Sequence, residues 1–210
     1  MKVSKQQAAE HRAAMVDAAA RLFRERGFDG VAVAEITRAA GLTHGGFYGH
    51  FASKEALAEE ACVHSFAEAL ERMGVAGDLD RYLDTYLSPR HRDARGDGCP
   101  MAALAAEIPH REEGLQGKFA AGVAAYVAGL ADELRRAGFT AAEARERALL
   151  TLAALVGGMA LARATAAAAP DLSAEFLATL RRELGARAAG DGAEDVGPRP
   201  FRARPGRPPR

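Results

Sequence analysis

From Leu149 to Ala162 the chain reads LLTLAALVGGMALA, a helix that is apolar on every side, and only burial on all faces satisfies such a segment. It needs partners around it. Those partners are helices too, because strand-type alternation is nearly absent and Ala, Leu, Arg and Glu recur at helical spacing. The expected fold is all-α. Leu172, Phe176, Leu177, Leu180 and Leu184 form a last apolar stripe, too rich for a monomer surface. The final two helices are therefore expected to make a four-helix dimer interface, with Gly157 and Gly158 allowing close approach. An entirely intramolecular core is the alternative.

Three short helices are expected in the first fifty residues. Met15, Ala18, Ala19, Leu22 and Phe23 share one helix face that ends at Gly27; Val33, Ile36 and Ala40 mark a second helix stopped by Gly41; and Thr43 is placed to cap a third with its hydroxyl. Ser53 caps a long fourth helix running to Met73, where GVAGDLD breaks it, with an apolar face broad enough to join two units. Leu79 to Leu87 form another helix, SPRHRDARGDG reads as a polar loop, and Cys99-Pro100 opens a helix of small residues. Phe119 to Leu134 then line a long amphipathic helix closed by Gly138. The expected organisation is a helix-turn-helix unit over 1–52, a ligand-binding and dimerisation unit over 53–187, and a Pro/Arg-rich tail over 188–210 that cannot bury enough apolar surface to fold.

A formal net charge of zero conceals a partition. Residues 1–54 carry +3, residues 185–210 carry +3, and the middle carries −6, as expected when one end meets phosphate and the body avoids it. No run of about 18 strongly apolar residues is free of charge or Gly interruption, and MKVSKQQAAEHR lacks an apolar leader, so a membrane span is not expected and the cytoplasm is.

VAEITRAAGLTHGGFYGHF, residues 33–51, reads as helix, Gly-Leu turn, helix, the geometry that puts a second helix in the DNA major groove. Ile36, Ala40, Leu42, Phe47 and Phe51 suit its core. Thr43, His44, Gly45, Tyr48, Gly49 and His50 are left to face outward. Thr43 sits where free N–H groups meet anions, Gly45 and Gly46 permit close backbone approach, and Tyr48 offers a hydroxyl to phosphate. Lys54 adds charge at the groove edge, while Arg38 and the Lys2/Lys5 arm reach the flanking backbone.

The stretch Arg12 to Leu57, RAAMVDAAARLFRERGFDGVAVAEITRAAGLTHGGFYGHFASKEAL, resembles the TetR-type repressors. The likeness includes the aromatic-Tyr-x-His-Phe ending followed by x-Ser-Lys-Glu. It departs at Val33, where that family usually has a capping Thr or Ser, and at His44, where Lys is common. The resemblance implies a homodimer on a double-stranded, palindromic operator, released by a small-molecule effector. It fades after about residue 70, but YLSPRHRDARGDGCPMAALAAE is similar to the region carrying a sensing cysteine in electrophile-responsive, NemR-like members.

Cys99 lies at a helix start with Arg90, Arg92 and Arg95 just before it, features that favour a thiolate, so it is the candidate effector or redox residue. Packing beneath a loop is the plainer role for it. Cys62 falls on an apolar face and suits the core. Neither a Cys62–Cys99 disulfide nor a metal set is expected, since His91, His110 and Cys99 lack ligand spacing. No cofactor is implied. No GxGxxG, P-loop, GxSxG or HExxH occurs, so catalysis is not expected. The rival to a ligand-released repressor is a constitutive DNA-binding protein, which keeps the helix-turn-helix but needs no cavity.

Overall fold

The computed structural model describes residues 4–188; the side chains of His44 and Gly45 are outside that description, as are Lys2 and nearly all of the Pro/Arg-rich tail. Among the described residues every regular element is helical. The helices are α1 (Lys5–Arg26), α2 (Val33–Ala39), α3 (Lys54–Ala76), α4 (Leu79–Tyr86), α5 (Pro89–Asp93), α6 (Pro100–Leu104), α7 (Glu113–Arg136), α8 (Ala141–Thr165) and α9 (Pro170–Ala188), with 3₁₀ turns at His44–Gly49 and Ile108–His110.

Local chemistry sets most of the boundaries. Ser4 Oγ accepts from Gln7 N–H and Ser53 Oγ from Ala56 N–H, both at 3.1 Å, so α1 and α3 start on side-chain caps. Thr140 and Glu143 cap α8 reciprocally. Within the expected SPRHRDARGDG loop the structure places a short helix instead, because Ser88 Oγ accepts from His91 N–H and Pro89 pre-sets the first turn.

One continuous core runs through the molecule. It starts at Met15, Phe23, Ile36 and Phe47 in the N-terminal unit and passes along α3 through Leu57 and Phe66. Tyr126, Leu130 and Leu134 of α7 and Leu155 and Met159 of α8 complete it, all nearly inaccessible. Packing of α3 on α1 and on α7 makes that helix the spine joining the two ends.

Within the single chain α8 is covered on one side only. The segment is not enclosed on all faces: Leu152, Leu155, Met159 and Ala162 are buried, while Leu150 is 62% and Leu161 49% exposed. One side of the helix packs on α7 and α9, and the other stays apolar and open. By length and composition alone α8 would also reach across a membrane. Its Arg163 is nonetheless buried against backbone carbonyls of this chain, which suits a helix packed in protein.

Candidate nucleic-acid interface and ligand cavity

The N-terminal unit is closed by aromatic packing. Phe47 and Phe51 lie 5.7 Å apart between ring centres, Phe23 meets Phe28 at 5.1 Å, and Ile36 is fully covered. Arg12 ties this unit to α3 by a two-pronged pair with Glu60 and by stacking over Phe51 at 4.6 Å. In the place of a missing side-chain cap, Glu35 reaches back to accept from Ala32 N–H at 2.9 Å, so Val33 does not cost α2 its start.

The expected second helix is a 3₁₀ turn, His44–Gly49, and Thr43 makes no side-chain cap bond. Three glycines in six residues explain the departure, since each lacks the side chain and backbone preference that sustain an α-helix. Thr43 is exposed, its hydroxyl left out of the turn. Tyr48 is 68% exposed, with its ring edge on Phe47. Arg38 is exposed in the last turn of α2, and Gly46 and Gly49 have open space where a Cβ would point. His50 is half-buried beside the ring of His11 at 6.4 Å. Lys54 differs most from expectation. Its ammonium donates to the Phe28 carbonyl and lies 5.9 Å from the Phe23 ring, so it braces the loop after α1.

A cavity of about 630 Å³ opens between α3, α4, the α5–α6 connection and α7. Tyr82, Tyr86 and Tyr126 supply its aromatic wall, and Arg72, Arg90, Glu71 and Asp97 its charged parts. The Tyr82 and Tyr126 hydroxyls bond to each other. The Tyr86 hydroxyl lies against the Cys99 sulfur without a well-aligned hydrogen-bond partner, and its burial pushes the phenol well above its usual range.

Cys99 is buried at the wall of this cavity, and of the three arginines expected beside it Arg90 lines the same space. Arg92 pairs with Asp93 and donates to Ser173 Oγ at 3.1 Å; Arg95 is exposed. The guanidinium facing Cys99 and Tyr86 comes from α8, Arg163, which is buried and fixed by the carbonyls of His91 and Arg92 at 3.1 Å each. His91 completes the wall: its Nδ1 faces the Tyr86 carbonyl at 2.7 Å and its Nε2 accepts from Cys99 N–H at 3.0 Å. Both ring nitrogens are thus used in the neutral form, and burial pushes the imidazole pKa down to about 4. Cys62 lies in the core, where burial raises its thiol to about 11.

From Cys99 the chain runs directly to the N-terminal unit. Helix α6 packs on α1, and Glu107 Oε2 accepts from Phe28 N–H at 2.9 Å while Arg111 holds Asp29 with two bonds of 2.8 and 2.7 Å. Arg24 of α1 donates to Ser65 Oγ at 2.6 Å and to the Gly96 carbonyl in return. Sequence reasoning did not single out Glu107, Arg111, Arg163 or the tyrosines, because no local pattern announces partners so distant along the chain.

A small helix-turn-helix unit fused to a larger helical unit with a side cavity defines a class of regulator. Two family models agree with it: "Bacterial regulatory proteins, tetR family" matches residues 15–61, and "Transcriptional regulator LmrA/YxaF-like, C-terminal domain" matches residues 76–174. The chain belongs to the TetR family of transcriptional regulators. It is similar to the HTH-type transcriptional repressor DhaR of Mycobacterium sp. (strain GP1), 32% identical over 101 residues, 45% of this chain and 50% of that protein. With the A-factor receptor protein of Streptomyces griseus it shares 51% over 45 residues, 21% of this chain and 16% of that one. The chain thus spans half or less of these relatives. Among solved structures, a TetR regulator from Chloroflexus aurantiacus superposes with a TM-score of 0.70 at 25% identity, over 86% of this chain and 94% of that one. Reduced Escherichia coli NemR superposes at 0.69 with 22% identity over 83% and 94%, a likeness of fold.

Proposed function

We propose that this chain is a transcriptional regulator that binds a palindromic DNA operator as a homodimer and is released by a small molecule entering the Tyr82–Tyr86–Cys99 cavity. The observation that carries the reading is the exposed set Arg38, Thr43 and Tyr48 on a unit whose core is fully closed beneath it. Such a surface has hydroxyls and a guanidinium for phosphate and base edges, next to glycine backbone that tolerates close approach. His44, Gly45 and His50 complete the proposed contact set, and Lys54 supports it from below.

The open apolar side of α8 supports the dimer. Leu149, Leu150 and Leu161, with Leu172 of α9, remain 43–62% exposed, and burying what is left of each against a second copy would contribute roughly 1–2 kcal/mol. The cavity favours a ligand-released regulator over a constitutive DNA binder, because a protein without a ligand has no use for such a space lined by an enclosed hydroxyl and a thiol. We place an electrophilic effector at Cys99, whose attack on it would push on α6 and on the Glu107–Phe28 contact beyond. Operator release by an electrophile, compared in the native chain and in Cys99→Ser, tests this: release should disappear in the variant, and unchanged release would refute the covalent step.

A further inference from the structure

We propose that Asp17, His64 and Glu68 form a binding site for a divalent transition-metal ion at the joint between α1 and α3. His64 Nε2 stands 3.6 Å from Asp17 Oδ1 and 3.5 Å from Glu68 Oε1, and one ligand atom from each residue lies within 4.8 Å of the others. Zn²⁺ and similar ions bind imidazole nitrogen and carboxylate oxygen at about 2.0–2.2 Å, so two corners of a tetrahedral site stand about 3.4 Å apart. The two distances from His64 Nε2 match that edge, and the Asp17 and Glu68 oxygens lie within 4.8 Å of each other. Both distances from His64 are also too long for hydrogen bonds. His64 Nε2 is sealed from solvent and has no hydrogen-bond partner, an arrangement that costs free energy unless something else meets it.

The acid is held in place as metal ligands usually are. Glu68 Oε2 faces Arg24 at 3.0 Å, and Arg24 is itself fixed by Ser65 and Gly96, which turns Oε1 toward His64. Arg24 offsets one of the two carboxylate charges and leaves the other for an incoming cation. One imidazole and two carboxylates suit a borderline ion such as Zn²⁺ or Co²⁺ better than Ca²⁺ or Cu⁺. Asp17 is mostly exposed, leaving the fourth position to water. An ion there would fasten α1 of the N-terminal unit to the spine helix α3, at a place separate from the cavity.

Cobalt titration of the chelator-stripped full chain tests the site, in a background with both cysteines changed to serine so that thiols do not contribute. The expected result is one saturable ion per chain with the visible bands of four-coordinate Co²⁺, displaced by Zn²⁺, and a higher thermal midpoint with Zn²⁺ present. His64→Gln and Asp17→Asn should each weaken binding by about tenfold or more, while His11→Gln, which alters the other imidazole pair of this unit, should not. Melting without metal checks folding; because Asp17 is exposed, Asp17→Asn decides the matter should His64→Gln fail to fold. Absence of saturable binding, or binding unchanged in Asp17→Asn, would overturn the proposal. The latter result with metal held by His11→Gln-sensitive groups would move the ion to the His11–His50 pair and overturn it equally.

Discussion

The carboxylate of Glu107 accepts the backbone N–H of Phe28 at 2.9 Å, and it does so by lying directly over Gly27, where a Cβ would come within 2.4 Å of Glu107 Oε1. Gly27 also has φ +76°, so the glycine serves both the turn after α1 and the close approach of the acid. Arg111 adds a 3.2 Å bond to the same carboxylate and grips Asp29. The segment leaving the cavity wall is thereby fastened to the loop between α1 and α2.

Removing that contact has a defined consequence. Glu107→Ala leaves the Phe28 amide without its partner and should lower stability by about 1–3 kcal/mol. Denaturant unfolding measures it; an unchanged midpoint would show that the contact is not maintained in solution.

Stability should fall in acid because of His91. Its folded pKa is about 4 against an ordinary 6.5, so the unfolded chain takes up a proton that the folded chain refuses. The contribution is complete above pH 6.5 and is lost as pH falls from 6.5 to about 4, to a total on the order of 3 kcal/mol. Unfolding free energies across that range should decline, with the decline reduced in His91→Gln relative to its own value at neutral pH.

Much of the N-terminal unit was legible because its signals are local. Ile36, Phe47 and Phe51 follow helical spacing and are all buried, and Ser53 caps α3 as its sequence context implies. Contacts between residues far apart along the chain leave no such local signal. Of the arginines close to Cys99 in sequence, Arg90 lines its cavity, but Arg92 pairs with Asp93 and Arg95 is exposed, and α8 delivers Arg163 from far along the chain. The 3₁₀ form of His44–Gly49 was missed for a different reason: Thr43 looked like a cap, and the cost of three nearby glycines was assigned to DNA approach alone. The cavity itself comes from Tyr82 and Tyr86 of α4 meeting Tyr126 of α7, a pairing that periodicity within either helix does not reveal.

The two thiols should react differently. With a pKa of about 11, Cys62 holds only about one thiolate in a thousand at pH 8, and it is packed in the core. Cys99 is just as covered, but it borders the cavity, through which a small reagent reaches it. Brief treatment of the native chain with a small alkylating reagent, read by peptide mass, should modify Cys99 and spare Cys62 until the chain is unfolded; modification of Cys62 at an equal rate would contradict the placement.

The exposed face of α8 carries the proposed dimer. Leu150→Arg places a charge on a side chain that is 62% exposed in one chain, so the monomer fold should survive. Sedimentation should show loss of the dimer, and operator affinity should fall with it. A stable dimer in that variant would locate the interface elsewhere.

The most direct measurement is binding of the purified chain to DNA from the region upstream of its own gene, followed by footprinting and anisotropy with single base changes. The account predicts salt-dependent binding of two chains to a palindrome with half-sites about one helical turn apart, weakened at every sequence by Tyr48→Ala and Arg38→Ala and altered in base preference by His44→Ala. Binding without sequence preference, or protection of a single half-site left unchanged by Tyr48→Ala, would contradict it.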